Sequence, residues 1–249
     1  MRFFALEDLS LAGVRWEINE KPCASQIKRA PVQQTFQTNR ANAAPIIVPA
    51  SAPITLETVK SMVNRPNDIE SLVRMIGEFN HPLKSGSTNV VMPNIAKKPN
   101  GLLIITDLPS SDDDSSGKIL SGNAGEMVDK MLSAIEMSRE NVSIIPLLFW
   151  RTPGGRTPNR EEIDLSMPFV NKIIEMLKPR IIITFGTLAA TEIAKTNLTS
   201  QHGAIIESES GYTIIPIYHP NYLILKPSAK KDVWDALQNI QKLLKTPQK

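Results

Sequence analysis

The sequence predicts an α/β fold, a three-layer α/β/α sandwich built on a central four-stranded parallel sheet. Four short apolar runs carry the prediction: Leu102–Ile105, Val142–Phe149, Ile181–Phe185 and Thr213–Tyr218. Each is rich in Ile, Leu or Val without polar alternation, as strands covered on both faces require. Between them lie segments of helical period, Glu126–Met137, Asn159–Leu177 and Thr187–Lys195. Strand–helix alternation of this kind selects a parallel sheet flanked by helices. Hydrophobic residues make up 41% and charged residues 21% of the 249, ordinary globular usage that excludes a fibrous or wholly disordered chain.

Taken in order, residues 1–53 read as an N-terminal extension and linker. Val32–Thr38 is polar and rich in Gln, and Ala41–Pro53 mixes Ala, Pro and small apolar residues, a composition that favours extended conformers. A short docking helix is expected before it, over Leu6–Ile18. Residues 54–249 are expected to form the folded domain. Asn67 stands three residues before Glu70, a capping-box spacing that opens a helix to Phe79. A second box, Asn159 with Glu162, opens the clearest helix, in which Ile163, Met167, Val170, Ile174 and Leu177 follow at helical steps. The last helix runs from about Ser228 to Lys245, with Val233, Leu237, Ile240 and Leu244 on one face.

Charge and cysteine usage narrow the function classes. Lys+Arg 28 against Asp+Glu 25 leaves a net charge of +3, so any basic surface must come from local clustering. The single cysteine, Cys23, can form no internal disulfide and cannot supply the four thiolates of a zinc or iron–sulfur site. No apolar run approaches the roughly 18 residues of a membrane span. A monomer in a reducing, cytoplasmic compartment, without membrane association, is the expectation. There is no Gly-rich loop ending in Lys-Ser/Thr, which disfavours nucleotide hydrolysis.

In folds of this class ligands meet the loops that leave the carboxyl ends of the strands. The first run is followed by Thr106-Asp107-Leu108-Pro109-Ser110, the acidic residues Asp112, Asp113 and Asp114, and Gly117. Trp150-Arg151-Thr152-Pro153-Gly154-Gly155-Arg156-Thr157-Pro158 follows the second, and His219-Pro220-Asn221-Tyr222 the fourth. A carboxylate, a basic Gly/Pro loop and a histidine therefore converge on one rim, a layout suited to hydrolysis beside a phosphate backbone. Singly, each has a blander reading: Asp107 as a turn residue, His219 as structural, and Arg151–Arg156 as a rigid surface turn. The acidic run reads as a solvated loop, and its spacing supports no metal site.

Together these segments resemble the uracil-DNA glycosylase superfamily, in particular its family-four group and alphaproteobacterial relatives. That family's Gly-Glu-Ala-Pro-Gly motif, with its acidic residues and Gly-x-Pro-Phe-x-Gly turn, is similar to Thr106–Gly122. Pro109, Asp113, Asp114, Gly117, Gly122 and Gly125 fall in register. The family's Trp-Arg-Pro-Pro-Gly-Asn-Arg-Thr-Pro loop is matched by Trp150–Pro158 with two changes, and the following helix keeps Glu162 and Pro168-Phe169. His219-Pro220-Asn221-Tyr222-Leu223 resembles the His-Pro-Ala-Tyr-Leu motif, and Lys231, Trp234 and Leu237 follow as in the family. The likeness spans Phe79–Lys245, about two-thirds of the chain.

The resemblance implies a glycosylase that extrudes a deaminated base, uracil, from DNA and hydrolyses its N-glycosidic bond. It places the carboxylate that positions or activates water on Asp107, and the group that stabilises the departing base on His219. Pro109, Leu120 and Pro146 fall in the base pocket. Arg151, Arg156, Asn221 and Lys226 fall on DNA, with Lys230 and Lys231 as further phosphate contacts. Several positions depart from the pattern. Asp107 replaces Glu, Leu120 replaces a stacking Phe, Pro146 replaces an Asn that reads uracil's polar edge, and Ser110 replaces Gly. Ser166 and Trp150 stand where cluster-bearing relatives have cysteines, so no iron–sulfur cluster and no other cofactor is expected. The joint change at Asp107, Leu120 and Pro146 also supports an alternative, a catalytically inactive DNA-binding protein of the same fold. A domain acting through protein contacts is the third reading.

Overall fold

The computed structural model describes residues 54–246. The extension and linker expected over residues 1–53, with the helix at Leu6–Ile18, lie outside the described residues. The four apolar runs form β1 (Leu102–Thr106), β2 (Ser143–Pro146), β3 (Ile181–Phe185) and β5 (Thr213–Ile217), in a sheet of order β2-β1-β3-β5-β4. The pairs β1–β2, β1–β3 and β3–β5 are all parallel. The sheet has five strands rather than the four expected. β4 (Ile206–Glu207) runs antiparallel along β5, pairing Ile206 with Ile214 and Glu207 with Thr213. Two residues leave no periodic signal in a sequence, yet they cover an edge that would otherwise expose unpaired backbone groups.

The run Val142–Phe149 also forms less strand than its length suggested. Pro146 ends β2 because it has no N–H to continue the ladder, and β2 lies at the sheet edge, where proline is tolerated. Leu147 to Trp150 continue as buried chain, with Leu147 N–H donating to Thr106 O at 2.8 Å.

Helices cover both faces. They are α1 (Leu56–Val63), α2 (Ile69–Glu78), α3 (Ser111–Ser116), α4 (Gly122–Ala134), α5 (Arg160–Leu177), α6 (Thr187–Ile193), α7 (Leu198–Gln201), α8 (Pro220–Leu225) and α9 (Lys230–Lys245). Along β1, Leu102 and Ile104 face one core with α4, α8 and α9, while Leu103 and Ile105 face the other with α1, α2 and α5. That alternation between two equally apolar faces is why the strand runs read as unbroken. The chain leaves β1 through α3 and α4 on one face, and returns from β2 through α5 on the other. This divergence opens a crevice above the carboxyl end of β1.

Local caps decide the helix starts. Asn159 and Glu162 make the expected capping box of α5, each side chain bonding the other's backbone N–H at 2.8 Å. The first expected box does not form: Asp68, not Asn67, caps α2, its carboxylate accepting Ser71 N–H at 2.8 Å.

The acidic run is not a solvated loop. It forms α3, capped by Ser110 and Asp113 in a reciprocal box. Asp113 is buried and also accepts Ser121 N–H at 2.6 Å. Buried Asp114 accepts the N–H groups of Thr88 and Asn89 at 2.9 and 3.1 Å. These carboxylates tie three chain segments together. Asp113→Ala is therefore expected to cost about 2 kcal/mol in chemical denaturation, because it strands two backbone donors. Exposed Asp112→Ala is expected to stay within about 0.5 kcal/mol of the parent.

Candidate active site

Strand register brings three loops to one level. Thr106 pairs with Phe185, and Phe185 with Ile217, so Asp107, Gly186 and Tyr218-His219 leave neighbouring strands side by side. The ladder extends one step further: Asp107 N–H donates to Phe185 O and Gly186 N–H to Ile217 O, each at 3.1 Å. This fixes the direction in which each following side chain points.

The Asp107 carboxylate turns toward the start of α6, where Oδ1 accepts Ala189 N–H at 2.6 Å. Gly186 makes room for it. A Cβ there would lie 2.1 Å from Asp107 Oδ2, and φ is +102°, a conformation side chains resist. Burial pushes the Asp107 carboxyl up to about 6, while backbone N–H groups of Ala189, Leu188 and Thr187 pull the other way. The group is thus ionised at pH 7 but holds its proton more readily than a surface carboxylate.

His219 is the cap of α8. Its Nδ1 accepts Asn221 N–H at 3.2 Å, which places the ring proton on Nε2. Nε2 lies 3.1 Å from Thr106 Oγ1, to which it donates. Burial lowers its pKa to about 4, with the Asp113 carboxylate acting in the opposite sense. At neutral pH this imidazole is uncharged and presents a fixed N–H.

Both residues line the same two hollows. The larger, of about 480 Å³, is walled by Asp107, Leu108, Gly155, Thr157, Pro158, Thr187, Leu188, Thr191 and His219. The smaller, of about 250 Å³, adds Gly186, Leu198, Thr199, Tyr218 and Tyr222 to Asp107, Thr187 and His219. A larger concavity of about 690 Å³ lies along α1 and α2, but it holds no carboxylate–imidazole pair.

The remaining candidates divide. Pro109, Leu120 and Pro146 are buried, and none lines either hollow. Leu120 sits in the core at φ +50°, with its carbonyl held by Arg139 Nη2 at 2.8 Å. Arg156 is engaged by Glu162: its Nη1 donates to Oε2 at 2.9 Å and its Nη2 to Oε1. That pair holds the Glu162 carboxyl below the usual range. Arg151 carries a buried Nε without a partner among the described residues. Asn221 and Lys226 are exposed. Lys226 Nζ lies 5.8 Å from the Tyr222 ring centre, and Leu225 beside it is 84% exposed.

The sequence reading passed over Gly186-Thr187-Leu188, the loop after the third apolar run. The strand-end rule that selected the other loops applies to it equally, because β3 lies between β1 and β5. It also passed over His81, which is buried to 1% exposure. No pattern in the surrounding sequence marks that residue as central.

The positions corresponding to cluster cysteines do not fit an iron–sulfur group. Trp150 is a buried indole, and Ser166 Oγ donates to Leu147 O at 2.7 Å. Neither supplies a thiolate, and the chain has one cysteine. Among the described residues, no group of three or more His, Cys, Asp or Glu is placed to hold a metal ion. No described helix is long and apolar enough to cross a membrane.

Comparison with known proteins agrees with this geometry. Residues 93–240 match the family described as the uracil DNA glycosylase superfamily. The chain is 26% identical over 170 residues to a type-4 uracil-DNA glycosylase of Archaeoglobus fulgidus, covering 65% of this chain and 85% of that protein. It is 27% identical over 173 residues to the type-4 enzyme of Pyrobaculum aerophilum, covering 66% and 88%. It is 29% identical over 146 residues to that of Thermotoga maritima, covering 57% and 76%. The matched stretch takes in the whole central sheet and all the hollow-lining residues, so the chain belongs to the uracil-DNA glycosylase superfamily.

Proposed function

We propose that this protein hydrolyses the N-glycosidic bond of uracil in DNA, acting on a nucleotide swung out of the base stack. One observation carries the reading. A half-buried carboxylate, Asp107, and a neutral imidazole donor, His219 Nε2–H, share the wall of one hollow at the carboxyl ends of the strands. The type-4 uracil-DNA glycosylases that match over most of their length support the same activity.

The chemistry divides between the two groups. As the bond from C1′ to N1 of the base breaks, its electrons pass to the uracil ring and negative charge grows on O2. A neutral N–H aimed at that oxygen stabilises the charge as it forms. In the structure this N–H is donated to Thr106 Oγ1 at 3.1 Å, so it would pass from that hydroxyl to the uracil oxygen when the base enters. The Asp107 carboxylate orients water for attack at C1′ and accepts its proton. DNA itself would be held by Arg151, Lys226 and backbone N–H groups along the rim, contacts that position without reading sequence. Arg156, expected to touch phosphate, is better placed as a brace for its own loop through Glu162. Exposed Leu225 is suited to enter the gap left by the extruded base. No cofactor takes part in this scheme.

The second reading, a DNA-binding protein without catalysis, is favoured by one finding. Leu120 and Pro146, which replace base-recognition residues of the family, stand clear of both hollows. Under this reading the rim would bind DNA but leave the bond intact.

Purified protein incubated with a single-stranded, uracil-containing oligonucleotide is expected to leave an alkali-labile abasic site. His219→Ala is expected to lower kcat by about 10²–10³-fold, the loss of one donor to the transition state. Equal product from the wild type and an Asp107→Ala, His219→Ala double variant would favour the non-catalytic reading.

The acid limb of the pH profile carries its own test. Asp107 must be ionised, and its pKa is raised to about 6, so kcat/KM is expected to climb with pH through about 6. His219 protonates only near pH 4, leaving one ionisation to control that limb.

Gly186→Ala removes the room that Asp107 occupies. It is expected to lower kcat by on the order of a hundredfold, with the far-ultraviolet circular dichroism of the α/β fold retained.

A further inference from the structure

We propose that His81 is a positioning residue that holds the Trp150–Pro158 loop, one wall of the larger hollow, in place. It does so through side-chain packing and hydrogen bonds. The proposal rests on the reading of the hollow as the nucleotide site only for its kinetic arm.

His81 grips both ends of that loop. At the start, its ring lies flat on Trp150, with centres 4.4 Å apart and planes within 2°. Phe79 packs against both rings and Phe169 closes the cluster behind it, their centres 5.8 and 5.0 Å from Phe79 for Trp150 and Phe169. At the far end the connection runs through Glu162. His81 Nδ1 accepts Leu83 N–H at 3.1 Å, so the ring proton sits on Nε2 and is donated to Glu162 O at 3.0 Å. The Glu162 carboxylate in turn holds Arg156 with both oxygens and accepts Asn159 N–H.

A third support comes from the turn that His81 caps, Pro82–Gly86. The Ser87 hydroxyl shares its proton between Leu83 O and Arg151 O, at 3.1 and 3.0 Å. Gly86 lies so close to Pro153 that an added Cβ would stand 3.2 Å from its ring.

The loop needs these braces. Gly154 and Gly155 have φ of +64° and +71°, and Pro153 to Thr157 are exposed. Its own internal bonds are few: Gly155 N–H to Thr152 O, Arg156 N–H to Pro153 O, Thr152 Oγ1 to Arg156 O, and Arg156 Nη1 to Thr157 O. Yet Gly155, Thr157 and Pro158 line the same hollow as Thr187 and Leu188. An unbraced wall would have to be ordered by each arriving strand, at a cost in binding rather than in bond cleavage.

The test compares His81→Phe, which keeps an aromatic ring on Trp150 but loses both ring hydrogen bonds, with Ser87→Ala, which loses the hydroxyl shared by Leu83 O and Arg151 O but leaves the His81 ring bonds in place. Amide hydrogen exchange at Gly155 and Arg156 is read against β3 as an internal standard. Exchange there is expected to quicken about tenfold in His81→Phe and less in Ser87→Ala, with β3 unchanged. With a uracil-containing single strand, His81→Phe is expected to raise KM about tenfold and leave kcat within about threefold. His81→Gln, whose amide can still donate to Glu162 O, is expected to recover part of the loss in KM.

Unchanged exchange at both amides in His81→Phe, or a fall in kcat with KM unaltered, would overturn the proposal. If His81→Phe does not fold, Ser87→Ala decides alone: no change in exchange or KM would refute the bracing. If the wild type releases no uracil, the catalytic reading fails, and loop exchange still decides the role of His81.

Discussion

Everything at the rim follows from the pairing register of β1 with β3 and of β3 with β5. Parallel strands emerge at the same end of a sheet, but only matched register makes their next residues neighbours. Because Thr106, Phe185 and Ile217 stand abreast, Asp107 can reach the amides that open α6, and His219 can reach back to Thr106 Oγ1. A shift of one residue would turn every strand side chain to the opposite core and carry these groups with it. The cores therefore protect the site's geometry: two separately packed faces, each filled by alternate residues of the same strands, both resist such a slip.

Burial acts on the two titratable groups in opposite chemical senses. It raises the acid and lowers the base, so each moves toward its uncharged form. The rescuing interactions differ, and that difference creates the division of labour. Asp107 has backbone N–H donors that favour its anion, which keeps it ionised at neutral pH. His219 accepts the Asn221 N–H at Nδ1 and donates from Nε2 to the Thr106 hydroxyl, partners suited to a neutral ring. The pair is thus a carboxylate and a neutral N–H donor on the wall of one hollow, and in the proposed reaction a proton need not move between them.

The region around Phe79, His81, Trp150 and Phe169 shows how a fold can meet one structural demand by different means. Thiolate ligation brings distant segments to a common point through bonds to a metal cluster. Here aromatic packing, the Ser166 hydroxyl on Leu147 O and the Glu162–Arg156 pair join the corresponding segments. The same economy governs the acidic residues of α3. The Asp113 and Asp114 carboxylates bond backbone N–H groups from three segments and so brace the turn before α4.

The amino-acid sequence alone determined the layers, the four main strands and the α5 capping box, because these depend on apolar runs and short-range spacing. It also singled out Asp107 and His219 as candidates, since both follow strand runs in an order that resembles the family. Tertiary structure decided the rest. It added β4, whose two residues carry no period, and turned three expected pocket residues inward. It paired Arg156 with Glu162, although a basic residue in a Gly/Pro loop reads equally well as a phosphate contact. It also revealed His81, whose importance depends on Trp150 and Glu162, far away along the chain. Local pattern records what a residue prefers, whereas a side chain's partners depend on which distant segments the packed sheet brings within a few ångströms.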